Sequence, residues 1–474
     1  MNAQMTVRMW RRGPTYALIF GSVAAVLLAG LAVPAVFGTP DRGAAAVPTP
    51  AAPPVGPAQD HDLRPAPPYA SSTLVTSPAP AEGIALVASD VGITPTTITI
   101  GVILVGLGAV SAFGIDTSSL DPATQKTYWL DAIARVNEAG GLAGRHLDVV
   151  FATGDILSTD SMRAACRALT EDHRVFAVAN VLGVTGDPIL CVARDHATPY
   201  LSISGADSSY YALSGGRLVT IEPSTARTLR LLADHLAARG LLHGHRIGIV
   251  HDGVDDALLR RVFPGVVVDG SLAGDDPLVV SGQVSSAEHR MQAAGVDTVL
   301  LLTNAVYGTV FATQADQDRY SPAYVLSDLG YATAGDSYLA NMPPSFFRDA
   351  VAVTTTEVGR GKANLPESSL DAACRHDFER RAGKTAARDG GDAVAALASC
   401  ALVQVLTIGV NGAGANPTRA AFGRALAAAG SLALPGFGRV LLAPGHLDAA
   451  DEVSVAKARA DCQCFDVIDG YRPA

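Results

Sequence analysis

The sequence predicts an α/β fold with two doubly wound lobes, each built on a parallel sheet. From Thr96 to Leu326, short runs rich in β-branched residues alternate with longer runs of helical periodicity. Strands separated by helices of about 10–15 residues are typical of parallel sheets with helices on both faces. The strands are also too many for one ordinary sheet, which usually holds about four to six. Two α/β lobes are therefore the natural division.

The first βα unit lies within residues 96–145. The run 97–105 is uncharged and rich in Ile, Val and Thr, as a strand buried on both faces should be. A loop of small residues follows at 106–111, where the backbone can approach a bound molecule closely. Asp121-Pro122 then supplies an N-cap and a first-turn proline, and Gly140-Gly141 ends the helix.

The same alternation continues along the chain. Strands are predicted at 147–151, 175–179, 200–204, 218–221, 246–250, 266–268, 297–303 and 323–326, and helices at 158–172, 188–196, 225–239, 255–262 and 285–294. In open parallel sheets, ligands bind beyond the carboxyl ends of the strands, where helix N-termini present free N–H groups. The loops that follow these strands are therefore the places to look for a binding site.

Two runs of the sequence resemble the start of the type I periplasmic binding proteins. They are GITPTTITIG at 92–101 and NEAGGLAGR at 137–145. Members of this family are the solute receptors of ABC importers for branched-chain amino acids, amides and related compounds, and the resemblance continues more weakly to the C-terminus. It implies a periplasmic binding protein-like fold that closes by a hinge around a small solute.

The resemblance also implies how the chain divides between the lobes. In this family the chain crosses between the lobes three times, which here corresponds to positions near Ile221, near 351–357 and near Gly436. Lobe one would then comprise residues 94–220 plus 357–435, and lobe two residues 222–350 plus 437–474.

The loops at the strand ends of both lobes carry candidate ligand-binding residues. A polar solute needs hydrogen-bond donors, an acid for an ammonium group, and a ring to cover the rest. The candidates are Ser111, Thr185, Ala206, Asp207, Ser208 and Tyr210 in lobe one, and Asp252, Asn304, Tyr307 and Asp328 in lobe two. For each of them, packing or helix capping is the alternative role.

The resemblance assigns roles to several of these candidates. Thr185 lies in a Gly-containing loop, and Ala206 would bind the carboxylate of the solute through its backbone. Asp328 is the candidate for the ammonium group, with Tyr307 covering the side chain of the solute. Tyr210 would close the pocket from the other lobe.

Three departures from the family pattern weaken the assignment of an amino acid as the solute. Asp207 would repel the carboxylate of an amino acid unless Ser208 takes over its role or Asp207 turns away. The first loop has VGLG at 105–108 instead of the usual Pro-x-Thr-Gly. The run HDGV at 251–254 lacks the Tyr-Gly expected after its acid.

The N-terminal region is predicted to lie outside the folded lobes. Residues 1–38 read as a membrane anchor or signal segment, because arginines precede an uncharged run from Thr15 to Gly38 that is long enough to cross a bilayer. Cleavage near Val33-Pro34-Ala35 is the alternative. Residues 39–90, rich in Pro and Ala, predict a disordered linker, and no second membrane-length apolar run is predicted. The rest of the chain would be extracytoplasmic, either anchored or secreted after cleavage.

The six cysteines, all after residue 165, indicate an oxidising compartment. Local spacing favours pairing Cys166 with Cys191, and Cys374 with Cys400. The first of these pairs resembles a bridge found in amino-acid receptors of this family. The sequence Cys462-Gln463-Cys464 is interpreted as a strained bridge or as two free thiols, and no metal site or cofactor is predicted.

Composition and motifs limit the classes of function that the sequence allows. The formal charge of −10 argues against a nucleic-acid partner, whose phosphates demand a basic face. An enzyme is not expected, since Ser111 stands where a dinucleotide loop needs its third glycine, and no catalytic signature occurs. We therefore predict a substrate-binding protein of an ABC importer, whose partners are a small polar solute and the permease subunits. The alternatives are a membrane-tethered ligand sensor of the same fold, which signals to a partner protein, and a structural surface protein.

Overall fold

The computed structural model describes residues 74–106, 121–156, 158–181, 186–274, 277–329 and 336–473. The strands are β1 (Thr97–Gly106), β2 (His146–Asp155), β3 (Val178–Asn180), β4 (Tyr200–Ser202), β5 (Leu218–Thr220), β6 (Ile247–Asp252), β7 (Val266–Leu272), β8 (Thr298–Leu302), β9 (Ala323–Ser327), β10 (Val351–Thr354), β11 (Gly430–Ala433), β12 (Arg439–Leu442), β13 (Glu452–Arg459) and β14 (Cys464–Pro473). The α-helices are α1 (Pro122–Glu138), α2 (Thr159–Arg167), α3 (Asp187–Leu190), α4 (Ser208–Leu213), α5 (Thr225–Ala238), α6 (Asp256–Val262), α7 (Pro277–Ala293), α8 (Ala305–Gln317), α9 (Asp336–Leu339), α10 (Ser369–Ala382), α11 (Gly391–Ala413) and α12 (Arg419–Ala427).

The first sheet contains β1 to β5 in the order β2-β1-β3-β4-β5, and all of its pairings are parallel. Alternate side chains of β1 enter two different cores. Ile98, Ile100, Val102 and Leu104 pack with α1 and α11, whereas Ile103 and Val105 pack with α2 and α3. This double burial explains why successive positions of the strand are apolar. The predicted first strand and helix are confirmed, and the Asp121 side chain caps α1.

The second sheet has the order β14-β13-β10-β9-β8-β6-β7. Its strands from β7 to β10 are parallel, but β13 is antiparallel to β10 and β14 is antiparallel to β13. The sequence predicted only parallel strands, because an apolar pattern determines which face of a strand is buried and not the direction of its partner. The mixed α/β architecture with two parallel-stranded sheets is nevertheless the one predicted.

The longest described helix, α11, lies inside the fold. Among the described residues it is the helix whose length and composition would allow it to cross a bilayer, and 89% of its most apolar window is buried within the protein. It packs against α1, α10 and α12. Gly409 lets the Phe422 ring of α12 approach, since a Cβ at this position would lie 2.4 Å from a ring carbon. The sequence reasoning overlooked this apolar run, and the structure identifies it as a core helix.

Residues 74–91 contain no helix or strand, yet long-range hydrogen bonds hold them against the folded domain. We call this segment the N-terminal strap. The Val75 N–H donates to Gln404 Oε1 at 2.7 Å, and the Ser89 hydroxyl donates to the Pro417 carbonyl at 2.6 Å. The disordered linker predicted for 39–90 is therefore too long, because the strap is bound to the helical layer of the first sheet.

Arg145, the last residue of the run at 137–145, ties the strap to the domain. Its side chain is only 1% exposed. The guanidinium donates to the carbonyl oxygens of Thr94 at 2.7 Å, Ala415 at 2.6 Å and Val87 at 3.0 Å. A buried guanidinium needs several acceptors, and here the backbone of three separate segments supplies them.

Three disulfides use all six cysteines of the chain. They join Cys166 to Cys191, Cys374 to Cys400 and Cys462 to Cys464. The first two are the pairs that the local spacing favours. The third is a bridge within the turn between β13 and β14, one of the two interpretations left open by the sequence.

The chain passes between the two sheets after β5, after β10 and after β12. The first and third passages are paired, since the Ala449 N–H donates to the Thr220 carbonyl at 2.9 Å and the Ala450 N–H to the Ile221 carbonyl at 2.7 Å. The apolar side chains of residues 437–450 pack in the core of the first sheet. The third passage therefore lies after Ala450, later than the position near Gly436, because β12 completes the first core before the chain leaves it.

Candidate functional site

Two buried acids, Glu222 and Asp328, lie where strand ends of both sheets meet. Glu222 follows β5 of the first sheet, and Asp328 follows β9 of the second. Both are buried, and they lie close enough for the charge of Asp328 to act on Glu222. We call them the hinge carboxyl pair. Ligands of open parallel sheets bind at this carboxyl edge, so the pair marks the candidate site.

Asp328 is held by residues at the end of the neighbouring strand. Its Oδ1 accepts a hydrogen bond from the Thr354 hydroxyl at 2.6 Å. Its Oδ2 accepts bonds of 2.7 Å from both the N–H and the hydroxyl of Thr355. Three donors compensate a buried carboxylate for lost water, and they fix Asp328 to the second passage between the sheets.

Glu222 is in a different electrostatic situation. Burial raises the pKa of Glu222 well above its ordinary value, and the negative charge of Asp328 raises it further, whereas the Gly205 N–H opposes the shift. The uncharged form of Glu222 is therefore favoured in the folded protein, beside the negative charge of Asp328. A cationic group bound against the pair would favour the ionised form of Glu222.

A polar network connects the first and third passages beside this pair. Asp448 Oδ2 accepts a hydrogen bond from the Ser224 N–H at 2.9 Å. Arg227 donates to the carbonyl oxygens of Asp448 at 2.6 Å and Ala450 at 2.7 Å. These contacts hold two passages as one unit next to the candidate site.

The second passage contains another buried acid. Burial, and then the charge of Asp371, raises the pKa of Glu357 to about 8, while Arg360 opposes the shift. The Glu357 N–H donates to the Gly436 carbonyl at 3.0 Å, and Asp371 Oδ1 accepts from the Gly436 N–H at 2.7 Å. The Gly436 backbone thus holds both Glu357 and the Asp371 carboxylate whose charge acts on it.

In the second sheet, Asp252 and Asn304 are in direct contact. Asp252 Oδ2 accepts hydrogen bonds from the Asn304 side-chain amide at 2.9 Å and from the Thr303 hydroxyl at 2.8 Å. Asn304 Oδ1 caps α8 by accepting from the N–H groups of Val306 and Tyr307. Tyr307 is buried and packs in the core of the second sheet. These contacts join the ends of β6 and β8.

After β4 of the first sheet, Ala206 and Asp207 lead into the short helix α4, which begins at Ser208. Asp207 is its N-cap and accepts hydrogen bonds from the Ser209 N–H at 2.8 Å and hydroxyl at 2.6 Å. Ala206 is buried, its N–H directed at Tyr211 Oη at 3.4 Å. Ser208 is exposed, and Tyr210 is half-buried against the core that contains the Cys166–Cys191 bridge.

The structure brings the predicted site residues together only in part. It joins Asp252 to Asn304, places Ser208 and Tyr210 on α4 with Ala206 and Asp207 just before it, and sets Asp328 beside Glu222. Ser111 and Thr185 lie outside the described residues, and the ligand-binding role of all ten candidates stays a prediction. Sequence reasoning missed Glu222, although an acid directly after the strand at 218–221, at the predicted crossing near Ile221, was a usable signal.

No protein-family model matches the chain, and no curated protein matches its sequence. Solved structures do match its fold. The chain is similar to a fatty acid ABC transporter substrate-binding protein from Thermomonospora curvata, with TM-score 0.61 and 13% identity, covering 84% of this chain and 97% of that one. It is similar to a solute-binding protein of an ABC transporter from Rhodopseudomonas palustris in complex with 3,4-dihydroxybenzoic acid, with TM-score 0.59 and 15% identity, covering 80% and 98%.

A leucine-binding protein from Thermotoga maritima is also similar, with TM-score 0.58 and 14% identity, covering 79% of this chain and 99% of that one. All three neighbours are solute-binding proteins by description, and none is described as an enzyme. The chain therefore has the fold of type I periplasmic binding proteins, as the resemblance of its sequence implied.

Proposed function

We propose that this protein, with its type I periplasmic binding protein fold, is an extracytoplasmic receptor that delivers a small polar solute to an ABC importer. The observation that carries the proposal is the hinge carboxyl pair, where strand ends of both sheets converge beside the passages between them. A solute held there would draw the two halves together, and the closed form would dock on the permease subunits.

We further propose that the two halves are the predicted lobes with one boundary moved. Lobe one comprises residues 94–220 plus 357–450, and lobe two comprises residues 222–350 plus 452–474. Packing of residues 437–450 in the first core supports the later boundary.

The solute that we propose is an amino acid, an amide or a related small acid. The neighbours named above are described as binding, or as transporting, leucine, 3,4-dihydroxybenzoic acid and fatty acid, which share a carboxylate. In this proposal, Ser111, Thr185, Ala206, Ser208 and Tyr210 contact the solute from lobe one, and Asp252, Asn304, Tyr307 and Asp328 form the wall of lobe two, with Asp207 directed away as the cap of α4. The negative charge on the hinge carboxyl pair favours a solute that also carries an ammonium group.

A ligand screen on the full-length chain in mild detergent tests the proposal. Thermal unfolding is followed with amino acids, amides, aromatic and fatty acids, sugars and nucleobases. A ligand at 100 times its dissociation constant should stabilise the protein by roughly 2.7 kcal/mol, a measurable rise in melting temperature. If only sugars or nucleobases raise the melting temperature, the proposed solute class is wrong.

The substitution Glu222→Gln tests the role of the hinge carboxyl pair. The amide has the size of the uncharged form of Glu222, which burial favours, so we expect little change in stability, but it cannot ionise against a cation. Calorimetry should show about tenfold weaker binding of an amino acid and unchanged binding of an acid that lacks an amine. The exposed Glu82→Gln is the matched control. Equal affinity of the Glu222→Gln variant and the native protein for an amino acid would refute this role.

A second candidate function, a membrane-tethered sensor of the same fold, is favoured by the uncharged run from Thr15 to Gly38 followed by the Pro- and Ala-rich segment. We propose that this anchor is retained. N-terminal sequencing of the exported protein distinguishes an anchored chain from one that begins after residue 35. Cross-linking in membranes would recover permease subunits from an importer, and a different membrane partner from a sensor.

A further inference from the structure

A cluster of three metal-ligating side chains lies between α7 and α8, outside the candidate site. Glu288 and His289 belong to α7, and Asp318 is the C-cap residue of α8. His289 Nε2 lies 3.2 Å from Asp318 Oδ2 and 3.4 Å from Glu288 Oε2. The three potential ligand atoms all lie within 4.8 Å of one another. One nitrogen and two oxygens therefore lie close enough together to bind one ion.

Glu288 supplies an independent observation, because both oxygens of its buried carboxyl group lack a hydrogen-bond donor. Its side chain is 0% exposed, and its contacts are the His289 ring at 3.4 Å and a hydrogen bond shared with the Asp318 carboxyl group. Two carboxyl groups in contact repel each other unless a proton or a cation lies between them. A metal ion bound by the three side chains would replace that proton and satisfy both carboxylates.

We propose that Glu288, His289 and Asp318 form a binding site for a divalent transition metal of the zinc type. Zinc bonds of about 2.0–2.1 Å to nitrogen and oxygen place neighbouring ligand atoms of a tetrahedron about 3.3 Å apart. The observed separations of 3.2 and 3.4 Å match that spacing. His289 is 61% exposed, which leaves a route for the metal and room for water as the fourth ligand.

The chemistry of the three side chains favours one class of metal ion. Calcium takes six to eight oxygen ligands and magnesium demands an octahedron of oxygens, whereas this cluster offers three ligands and one of them is imidazole. Imidazole with carboxylates suits zinc and neighbouring transition metals. The sequence alone did not predict the site, because Asp318 is distant in sequence from the adjacent pair on α7.

Asp318 is already oriented by neighbouring amides. The Gln314 side-chain amide donates to Asp318 Oδ2 at 2.6 Å, and the Gln292 amide donates to the Asp318 carbonyl at 3.1 Å. Hydrogen bonds of this kind hold ligands in position around a metal, and their partners affect metal affinity. The second lone pair of Oδ2 stays available for a metal ion.

Two other groups in the described chain have metal-ligating atoms, and neither is as well suited. Cys166 and Cys191 near His196 are joined in a disulfide. His251 lies near Asp256 and Asp269, but its Nδ1 is buried without a partner. A metal-binding histidine requires an acceptor or water at that nitrogen to orient the ring, which His251 lacks and the exposed His289 can obtain from solvent.

Metal titration of the full-length chain in mild detergent tests the proposal. After treatment with a chelator, calorimetry with zinc chloride should show one tightly bound ion per chain, and zinc should raise the melting temperature while calcium and magnesium do not. Cobalt should give the intense visible absorption of tetrahedral coordination. The substitutions His289→Ala, Asp318→Asn and Glu288→Gln should each weaken zinc binding about tenfold or more.

The Glu288→Gln variant distinguishes loss of zinc binding from a folding defect. Its amide N–H can donate towards the Asp318 carboxylate, so we expect a metal-free stability at least equal to that of the native protein. The control is His245→Ala, which removes a histidine that pairs with Asp297 at 3.1 Å but has no buried acid beside it. Native protein that binds no zinc, ligand variants that bind it as tightly as the native protein, or an equal loss in His245→Ala would overturn the proposal.

Discussion

At the scale of single residues, Gly205 determines how closely the first passage approaches the edge of the first sheet. A Cβ on Gly205 would lie 1.8 Å from the Pro223 carbonyl oxygen, a distance that no side chain tolerates. The same passage carries Glu222, whose carboxyl group is influenced by the Gly205 N–H. This glycine is therefore required by close backbone packing beside the hinge carboxyl pair.

The substitution Gly205→Ala should destabilise the protein, because the backbone oxygen of Pro223 cannot move aside as a flexible side chain could. We expect a loss of about 2–3 kcal/mol in the free energy of unfolding, measured by urea denaturation. The control is Gly282→Ala in α7, where an added Cβ meets nothing within 4 Å. That change should stabilise the helix by about 0.8–1 kcal/mol. Equal effects of the two substitutions would contradict the packing argument.

Glu357 should make stability depend on pH. Its pKa is raised to about 8 in the folded protein, from an ordinary value of 4.5. The folded state therefore binds a proton more tightly than the unfolded state, and this group's stabilising contribution is complete below pH 4.5 and is lost as pH rises to about 8. Unfolding free energies measured across this window should fall less steeply in Glu357→Gln. An unchanged slope in that variant would show that other groups set the pH dependence.

At the scale of elements, the Arg145 guanidinium is one of several groups that hold the N-terminal strap. Arg145→Ala removes the donors to the carbonyl oxygens of Val87, Thr94 and Ala415. We expect a loss of at least about 3 kcal/mol, and much faster hydrogen exchange in residues 74–91. The exposed Arg230→Ala should change neither quantity. If hydrogen exchange in the strap stays slow in Arg145→Ala, Arg145 does not hold the strap to the domain.

Elements whose pattern is local were predictable, and those defined by distant partners were not. Most of the alternating helices and strands up to β9 follow from apolar spacing, and the capping of α1 follows from Asp121-Pro122, whereas α4 and α8 were not predicted. The antiparallel strands β13 and β14 were missed because pairing direction is a property of the partner strand. The strap was assigned to a linker because its partners, such as Gln404 and Pro417, are more than 300 residues away in sequence.

The sequence predicted where the candidate site lies, at the carboxyl ends of strands, but it did not predict the contacts of its residues. The rule that ligands bind at carboxyl strand ends led to Asp328, but the three bonds that Asp328 accepts come from Thr354 and Thr355 at the end of the next strand. Asp252 and Asn304 likewise satisfy each other across two strands. Such hydrogen bonds depend on which strand ends are neighbours in the sheet. The composition of a single loop does not give that information.

At the scale of the whole molecule, Ile156 is a contact between the two halves. It follows β2 of the first sheet and packs against cores of both sheets. We expect this contact to accompany closure, so that Ile156→Ala should disfavour the closed form and weaken binding of the solute found in the screen about fivefold, for a loss of about 1 kcal/mol of apolar contact. Calorimetry measures this change, and Leu213→Ala, whose side chain is 48% exposed, is the control. Unchanged affinity in Ile156→Ala would show that this contact does not accompany closure.

The placement of the three disulfides has a consequence for movement. One bridge lies within the helical layers of the first sheet, one joins α10 to α11, and one closes the turn between β13 and β14. Each bridge joins neighbouring segments of one half, and since the three bridges use every cysteine of the chain, no disulfide connects the two halves. In the proposed receptor, oxidation would therefore stiffen each half and leave their relative movement to hydrogen bonds and to contacts with the bound solute.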